Sequence, residues 1–194
     1  MKLTVKNLLK KFENKTIFED FSYEFENKGL YIIRGKSGKG KTTLLRIISG
    51  LDCDYSGTVE GGGLGSVSVC FQEHRLFPWL NALENVAIAD KCPDREITTQ
   101  KAKKILTRLD FAETDMLLRP DALSGGMKQR VAFARALIKD APILILDEVT
   151  KELNEDLAQK VLDIINEESK KRLVLLVTHR DSEKDAVKAK YIDI

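Results

Sequence analysis

An α/β fold with a mostly parallel sheet and an inserted block of helices is predicted by three observations. Several strand-like segments, such as Ile143 to Leu146 and Leu173 to Val177, are apolar throughout. Strands of that kind are covered on both faces, as in a parallel sheet. Strand patterns dominate up to Phe71, helical patterns from about Asn81 to Lys139, and the two alternate afterwards; a helical block inserted into an α/β core is the simplest arrangement. Finally, a glycine-rich turn joins the strand Leu30 to Arg34 to a helix beginning at Thr42.

The strands are predicted at Leu3 to Val5, Ile17 to Phe25, Leu30 to Arg34, Ser66 to Phe71, Ile143 to Leu146, Leu173 to Thr178 and Tyr191 to Ile194. Helices are expected where apolar residues recur at three- and four-residue spacing. Thr42 to Ser49 carries Leu44, Leu45, Ile47 and Ile48 and stops at Gly50; Thr99 to Leu109 carries Ala102, Ile105 and Leu106; Asn154 to Glu168 carries Leu157, Val161, Leu162 and Ile165. The stretch from Tyr55 to Gly65 has five glycines and reads as a tight loop or weak hairpin.

With 194 residues the chain has room for one domain, with at most a small insertion. Such a domain buries roughly 70% of its extended surface and needs no disulfide or metal staple. Hydrophobic residues at 43% and charged residues at 32% are ordinary for a globular protein and argue against disorder. The 32 basic and 30 acidic residues leave a net charge of +2, so there is no electrostatic case for a nucleic-acid partner. The longest apolar runs fall far short of the roughly 18 residues of a membrane span. No long apolar stretch follows Met1, so no signal peptide is expected. Cys53, Cys70 and Cys92 lack paired spacing and read as reduced thiols of an intracellular protein.

The chemistry is concentrated in a few segments. Gly35-Lys36-Ser37-Gly38-Lys39-Gly40-Lys41-Thr42 follows the pattern Gly, four residues, then Gly-Lys-Ser/Thr. Backbone N–H groups at such a turn wrap phosphates, and the helix that follows adds positive charge at its N-terminus. Lys41 is then the candidate for the β- and γ-phosphates of a nucleotide, Thr42 is a candidate Mg²⁺ ligand, and Thr43 extends the binding stretch. Lys36 and Lys39 either attract nucleotide or are simply solvated.

Ile143 to Leu146 delivers Asp147 and Glu148 at a strand C-terminus, the edge at which α/β sheets bind ligands. Asp147 is the candidate to hold Mg²⁺ and Glu148 to polarise water; alone, the pair could equally cap a helix. Leu173 to Val177 similarly ends in Thr178 and His179. An imidazole there can hydrogen-bond a γ-phosphate.

Leu123-Ser124-Gly125-Gly126-Met127-Lys128-Gln129-Arg130 adds a second anion-binding element: Ser124 can cap a helix from about Gly126 to Lys139, with glycines at its positive end. This segment resembles the signature motif of the ABC-type ATPases, and the resemblance extends over essentially the whole chain. It implies a P-loop NTPase core, with a mostly parallel sheet and an antiparallel β part, at about residues 1–72 and 140–194. It also implies a helical subdomain at about residues 73–139.

By the same resemblance, Gln72 is similar to the Q-loop glutamine that meets the metal and the reaction centre, Glu148 to the catalytic glutamate, and His179 to the switch histidine. Phe12 resembles the aromatic that stacks on adenine, though a core phenylalanine would look the same in sequence. The implied protein binds ATP and Mg²⁺ and works as a head-to-tail homodimer, or paired with a similar ATPase subunit. Each ATP would lie between the phosphate loop of one subunit and Ser124, Gly125 and Gly126 of the other.

The implied partners are an integral membrane permease and, through it, an extracytoplasmic solute-binding protein. The implied location is the cytoplasmic face of the membrane, as a peripheral subunit. Trp79 shares a loop with Phe77 and would by default be a core residue, but the resemblance implies that this region contacts the permease, as an exposed aromatic cluster would suit. The run Cys70-Phe71-Gln72-Glu73 through Leu76-Phe77-Pro78-Trp79, then Leu83-Glu84-Asn85-Val86, is most similar to importers of the nitrate, sulfonate and taurine group.

There are departures from the family pattern. Val149 stands where proline is usual, Asn154 where an aspartate is usual, and Arg180 where an acid is common after the histidine. They leave room for two other readings: a slowly hydrolysing regulatory subunit, or a non-transport ABC ATPase. The intact Lys41, Asp147, Glu148 and His179 favour a working ATPase. Ile194 follows closely on the strand that usually leads into a longer C-terminal region, so no regulatory tail is expected.

Overall fold

The computed structural model describes residues 2–13, 15–178 and 189–194. They form two compact units. The first comprises Met1–Val69, Ala141–Asp147 and Ile165–Ile194; the second comprises Cys70–Asp140 and Glu148–Ile164.

The first unit holds two sheets. A five-stranded sheet runs in the order β5-β6-β7-β3-β8, from strands β3 (Gly29–Arg34), β5 (Val67–Cys70), β6 (Ile143–Asp147), β7 (Leu173–Val177) and β8 (Lys190–Asp193). The pairs β3–β7, β6–β7 and β3–β8 are parallel. Every residue of β6 and β7 is buried, which is why both segments read as unbroken apolar runs.

A three-stranded antiparallel sheet, β2-β1-β4, is built from β1 (Thr4–Phe12), β2 (Lys15–Glu24) and β4 (Ser56–Glu60). β1 continues well beyond the predicted Leu3 to Val5. Its charged residues mask it in sequence, and one of them is buried: Lys10 donates to Asp52 Oδ1 at 2.9 Å. The glycine-rich stretch contains β4, an exposed strand whose only pairing partner among the described residues is β1. Its alternation was too weak to read.

Helix α1 (Lys41–Ile48) follows β3 and buries Leu44, Leu45, Ile47 and Ile48, as its spacing predicts. In the second unit, α2 (Ala82–Ala87), α3 (Arg95–Arg108) and α4 (Gly125–Ile138) pack on one another. α3 begins four residues before its apolar pattern because Asp94 caps it, accepting from the N–H groups of Glu96 and Ile97. α5 (Glu155–Ser169) starts in the second unit and ends in the first. Among the described residues, no helix is long and apolar enough to cross a membrane.

Candidate functional site

The phosphate loop has the strand–turn–helix setting that its sequence required. Gly40 is the N-cap of α1 with φ 100°, and no side chain caps the helix, so its first N–H groups are not occupied by a capping side chain. A β-carbon at Gly40 would run into Ile17 and lie 3.1 Å from Phe18, so the loop rests directly on β2. Lys41 is buried, and its Nζ donates to the carbonyls of Gly35 at 2.8 Å and Lys36 at 3.2 Å. The ammonium is therefore held inside the curl of the loop. Lys36, Ser37, Gly38 and Lys39 are exposed, and Thr43 is half-buried.

Phe12 reaches the same neighbourhood by strand pairing. It stands opposite Lys15 at the end of the β1–β2 hairpin, and Lys15 Nζ donates to the Gly38 carbonyl at 3.1 Å. The Phe12 ring is 48% exposed, with Lys10 Nζ 4.6 Å from its centroid. The ring is thus not a core residue, and its exposed face is free of the packing that would hide a stacking surface.

Sheet register brings the acid to the loop. Ile33 pairs with Val177 and Val177 with Asp147, so the ends of β3, β7 and β6 form one row. Asp147 is buried, and the Thr42 hydroxyl donates to its Oδ2 at 2.7 Å. Alcohol and carboxylate oxygens at this separation are hard donors that suit Mg²⁺. Thr178 follows Val177 in this row and is buried. His179 and Arg180 lie outside the described residues.

The remaining candidates belong to the second unit. Gln72 is exposed in the loop after β5. Glu148 directly follows Asp147 and has φ 54°, a left-handed conformation uncommon for a residue with a side chain. Its Oε2 lies 2.9 Å from Lys151 Nζ. Val149 is fully buried, so the residue in the usual proline position is an apolar anchor for this turn. Asn154 accepts from the Leu157 N–H at 3.0 Å and thereby caps α5.

The predicted cap of α4 is also present: Ser124 Oγ accepts from the Met127 N–H at 3.3 Å, and the helix starts at Gly125, one residue before the expected position. Sequence reasoning missed the neighbour of these glycines. A β-carbon at Gly125 would collide with the Glu152 carboxylate, and one at Gly126 would lie 3.0 Å from the Glu152 carbonyl oxygen. The glycines thus accommodate the segment after Glu148.

The loop after Gln72 is tied to α4. His74 Nε2 lies 3.0 Å from Gln129 Oε1, and Arg135 donates to the carbonyls of His74 and Arg75. Further along, buried Asn85 donates to the carbonyls of Phe77, Leu80 and Asn81. This fixes a loop on which Phe77 and Trp79 stand with ring centroids 5.4 Å apart, Trp79 being 65% exposed. A tryptophan would by default be buried.

Comparison with known proteins agrees with this geometry. Residues 18–151 match the family described as ABC transporter. The chain is 34% identical to the aliphatic sulfonates import ATP-binding protein SsuB of Bacillus cereus, with 92% of this chain and 75% of that protein covered. It is 39% identical to the thiamine import ATP-binding protein ThiQ of Haemophilus ducreyi, with 82% and 81% covered. In structure it is similar to a dimeric ATP-binding cassette in a post-hydrolysis state bound to ADP and Pi. That likeness has a TM-score of 0.87 and 26% identity, with 99% of this chain and 94% of that chain covered.

Proposed function

The chain belongs to the ABC transporter family, and from that premise we propose that it is the ATP-hydrolysing subunit of an importer, driving solute through a separate membrane permease. The observation that carries the site assignment is the Thr42–Asp147 hydrogen bond, which joins the phosphate loop to the acid at the end of β6. Import is supported by the relatives, two of which are named for the import of unlike solutes. The sulfonate relatives also support the nitrate, sulfonate and taurine group.

In this reading the loop from Gly35 to Thr43 receives the ATP phosphates on backbone N–H groups, with Lys41 reaching the β- and γ-phosphates. Phe12 stacks on adenine. Thr42, Asp147 and Gln72 hold Mg²⁺, which neutralises charge on the phosphates when bound. Glu148 orients and polarises the attacking water, and His179 hydrogen-bonds the γ-phosphate. Ser124, Gly125 and Gly126 complete the site of a second copy, or of a similar ATPase subunit, in a head-to-tail dimer.

The catalytic core is assigned to about residues 1–72 and 140–194, and the helical subdomain to about 73–139. The subunit sits peripherally at the cytoplasmic face of the membrane, and the permease receives solute from an extracytoplasmic binding protein. Replacing Glu148 tests the assignment: Glu148→Gln is expected to abolish turnover while ATP binding persists and dimers accumulate. Continued ATP hydrolysis by that variant would overturn it.

A further inference from the structure

Glu148 is held by more than its place in the chain. Its left-handed backbone opens a tight turn in which the Lys151 N–H donates to the Glu148 carbonyl at 3.2 Å. The two residues between them, Val149 and Thr150, are buried and anchor that turn. Lys151 Nζ then returns to Glu148 Oε2 at 2.9 Å. The Glu148 side chain is only 14% exposed, whereas that of Lys151 is 56% exposed.

We infer that Lys151 is a positioning residue for Glu148, its ammonium holding Oε2 and so setting where the other carboxylate oxygen meets the attacking water. This rests on the reading of Glu148 as the group that orients water. Ion pairs between partly exposed residues contribute little to stability, so the consequence of this one lies in placement. A carboxylate on a flexible stem samples several rotamers, and in-line attack requires one of them. An ammonium three residues away, carried on a turn with a buried middle, favours that rotamer and sets a positive charge against a largely buried carboxylate. Charge and reach are both required, which distinguishes Lys151 from a residue that merely shapes the turn.

The test uses the full chain, at concentrations where turnover per chain no longer rises with concentration. Lys151→Met is expected to lower kcat about tenfold with KM for ATP unchanged within about twofold, and Lys151→Arg to restore most of the loss. In a Glu148→Gln background, Lys151→Met should change neither ATP affinity nor dimer formation. If Glu148→Gln itself still turns over, the reading of Glu148 fails. If Glu148→Gln is inactive but Lys151→Met keeps its kcat, or Lys151→Arg fails to restore it, the positioning role is overturned and Glu148 stands.

Discussion

Thr42 and Asp147 are 105 positions apart in sequence, and the hydroxyl of one donates to the carboxylate of the other at 2.7 Å. Thr42→Val keeps the side-chain shape and removes the oxygen. The Mg²⁺ concentration needed for half-maximal ATP hydrolysis is expected to rise by about 10- to 100-fold, the range typical when a metal site loses support. Unfolding stability should fall by about 1 kcal/mol, the net value of one hydrogen bond. Magnesium titrations and denaturant melts measure the two effects separately.

Gly125 and Gly126 can be separated by substitution. The atom in the way of a Gly125 β-carbon is the far end of the Glu152 side chain, which is 43% exposed and can swing aside. At Gly126 it is the Glu152 backbone carbonyl, 3.0 Å away. Gly125→Ala is therefore expected to change stability by less than about 0.5 kcal/mol. A loss of ATPase activity in that variant would report on nucleotide contact, not on folding. Gly126→Ala should lower the melting temperature as well.

Asn154 is expected to matter first as a helix cap. Asn154→Ala removes the acceptor for the Leu157 N–H and should cost about 1 kcal/mol in thermal or chemical unfolding, while Asn154→Asp should retain the stability.

Asp90 gives the second unit a pH dependence. Burial pushes its carboxyl up, but hydrogen bonds from Lys101, the Cys92 N–H and Thr98, with the Lys101 charge, outweigh burial and hold it below the reference value of 3.8. A carboxylate depressed on folding contributes its full stability above the unfolded value. That contribution is lost as pH falls through the lower, folded one. Asp90→Asn is expected to flatten the decline in melting temperature as pH falls below about 5. An unchanged slope would refute the assignment.

Trp79 is the chain's single tryptophan and stands exposed beside Phe77. Binding of the proposed permease should shift its emission to the blue and shield it from soluble quenchers. Trp79→Ala should weaken that association by about 2 kcal/mol, a value usual for an aromatic anchor.

The local settings of the residues proposed to handle phosphate were legible in sequence because each lies in a short segment with its own spacing rule. Lys41, Thr42 and Ser124 depend on the turn and helix immediately around them, and Asp147 on the strand that carries it. Lys10 was not legible. A lysine in a strand reads as solvated, and its burial depends on acids more than 40 residues away. Glu152 was missed for the same reason: its approach to Gly125 is set by packing of the turn before α5 on the first residue of α4 and leaves no periodic trace. Lys151 was only three residues from Glu148, yet the contact depends on the left-handed backbone at Glu148, which a non-glycine residue does not announce.

β3, which leads into the phosphate loop, lies between β7 and β8 in the sheet. Both of its hydrogen-bonded neighbours are thus supplied by residues 173–177 and 190–193, near the other end of the sequence. On the ribosome this apolar strand is made well before either neighbour and must wait, unpaired, until residues 173–193 have emerged. An apolar strand held unpaired in this way needs shelter from aggregation during synthesis.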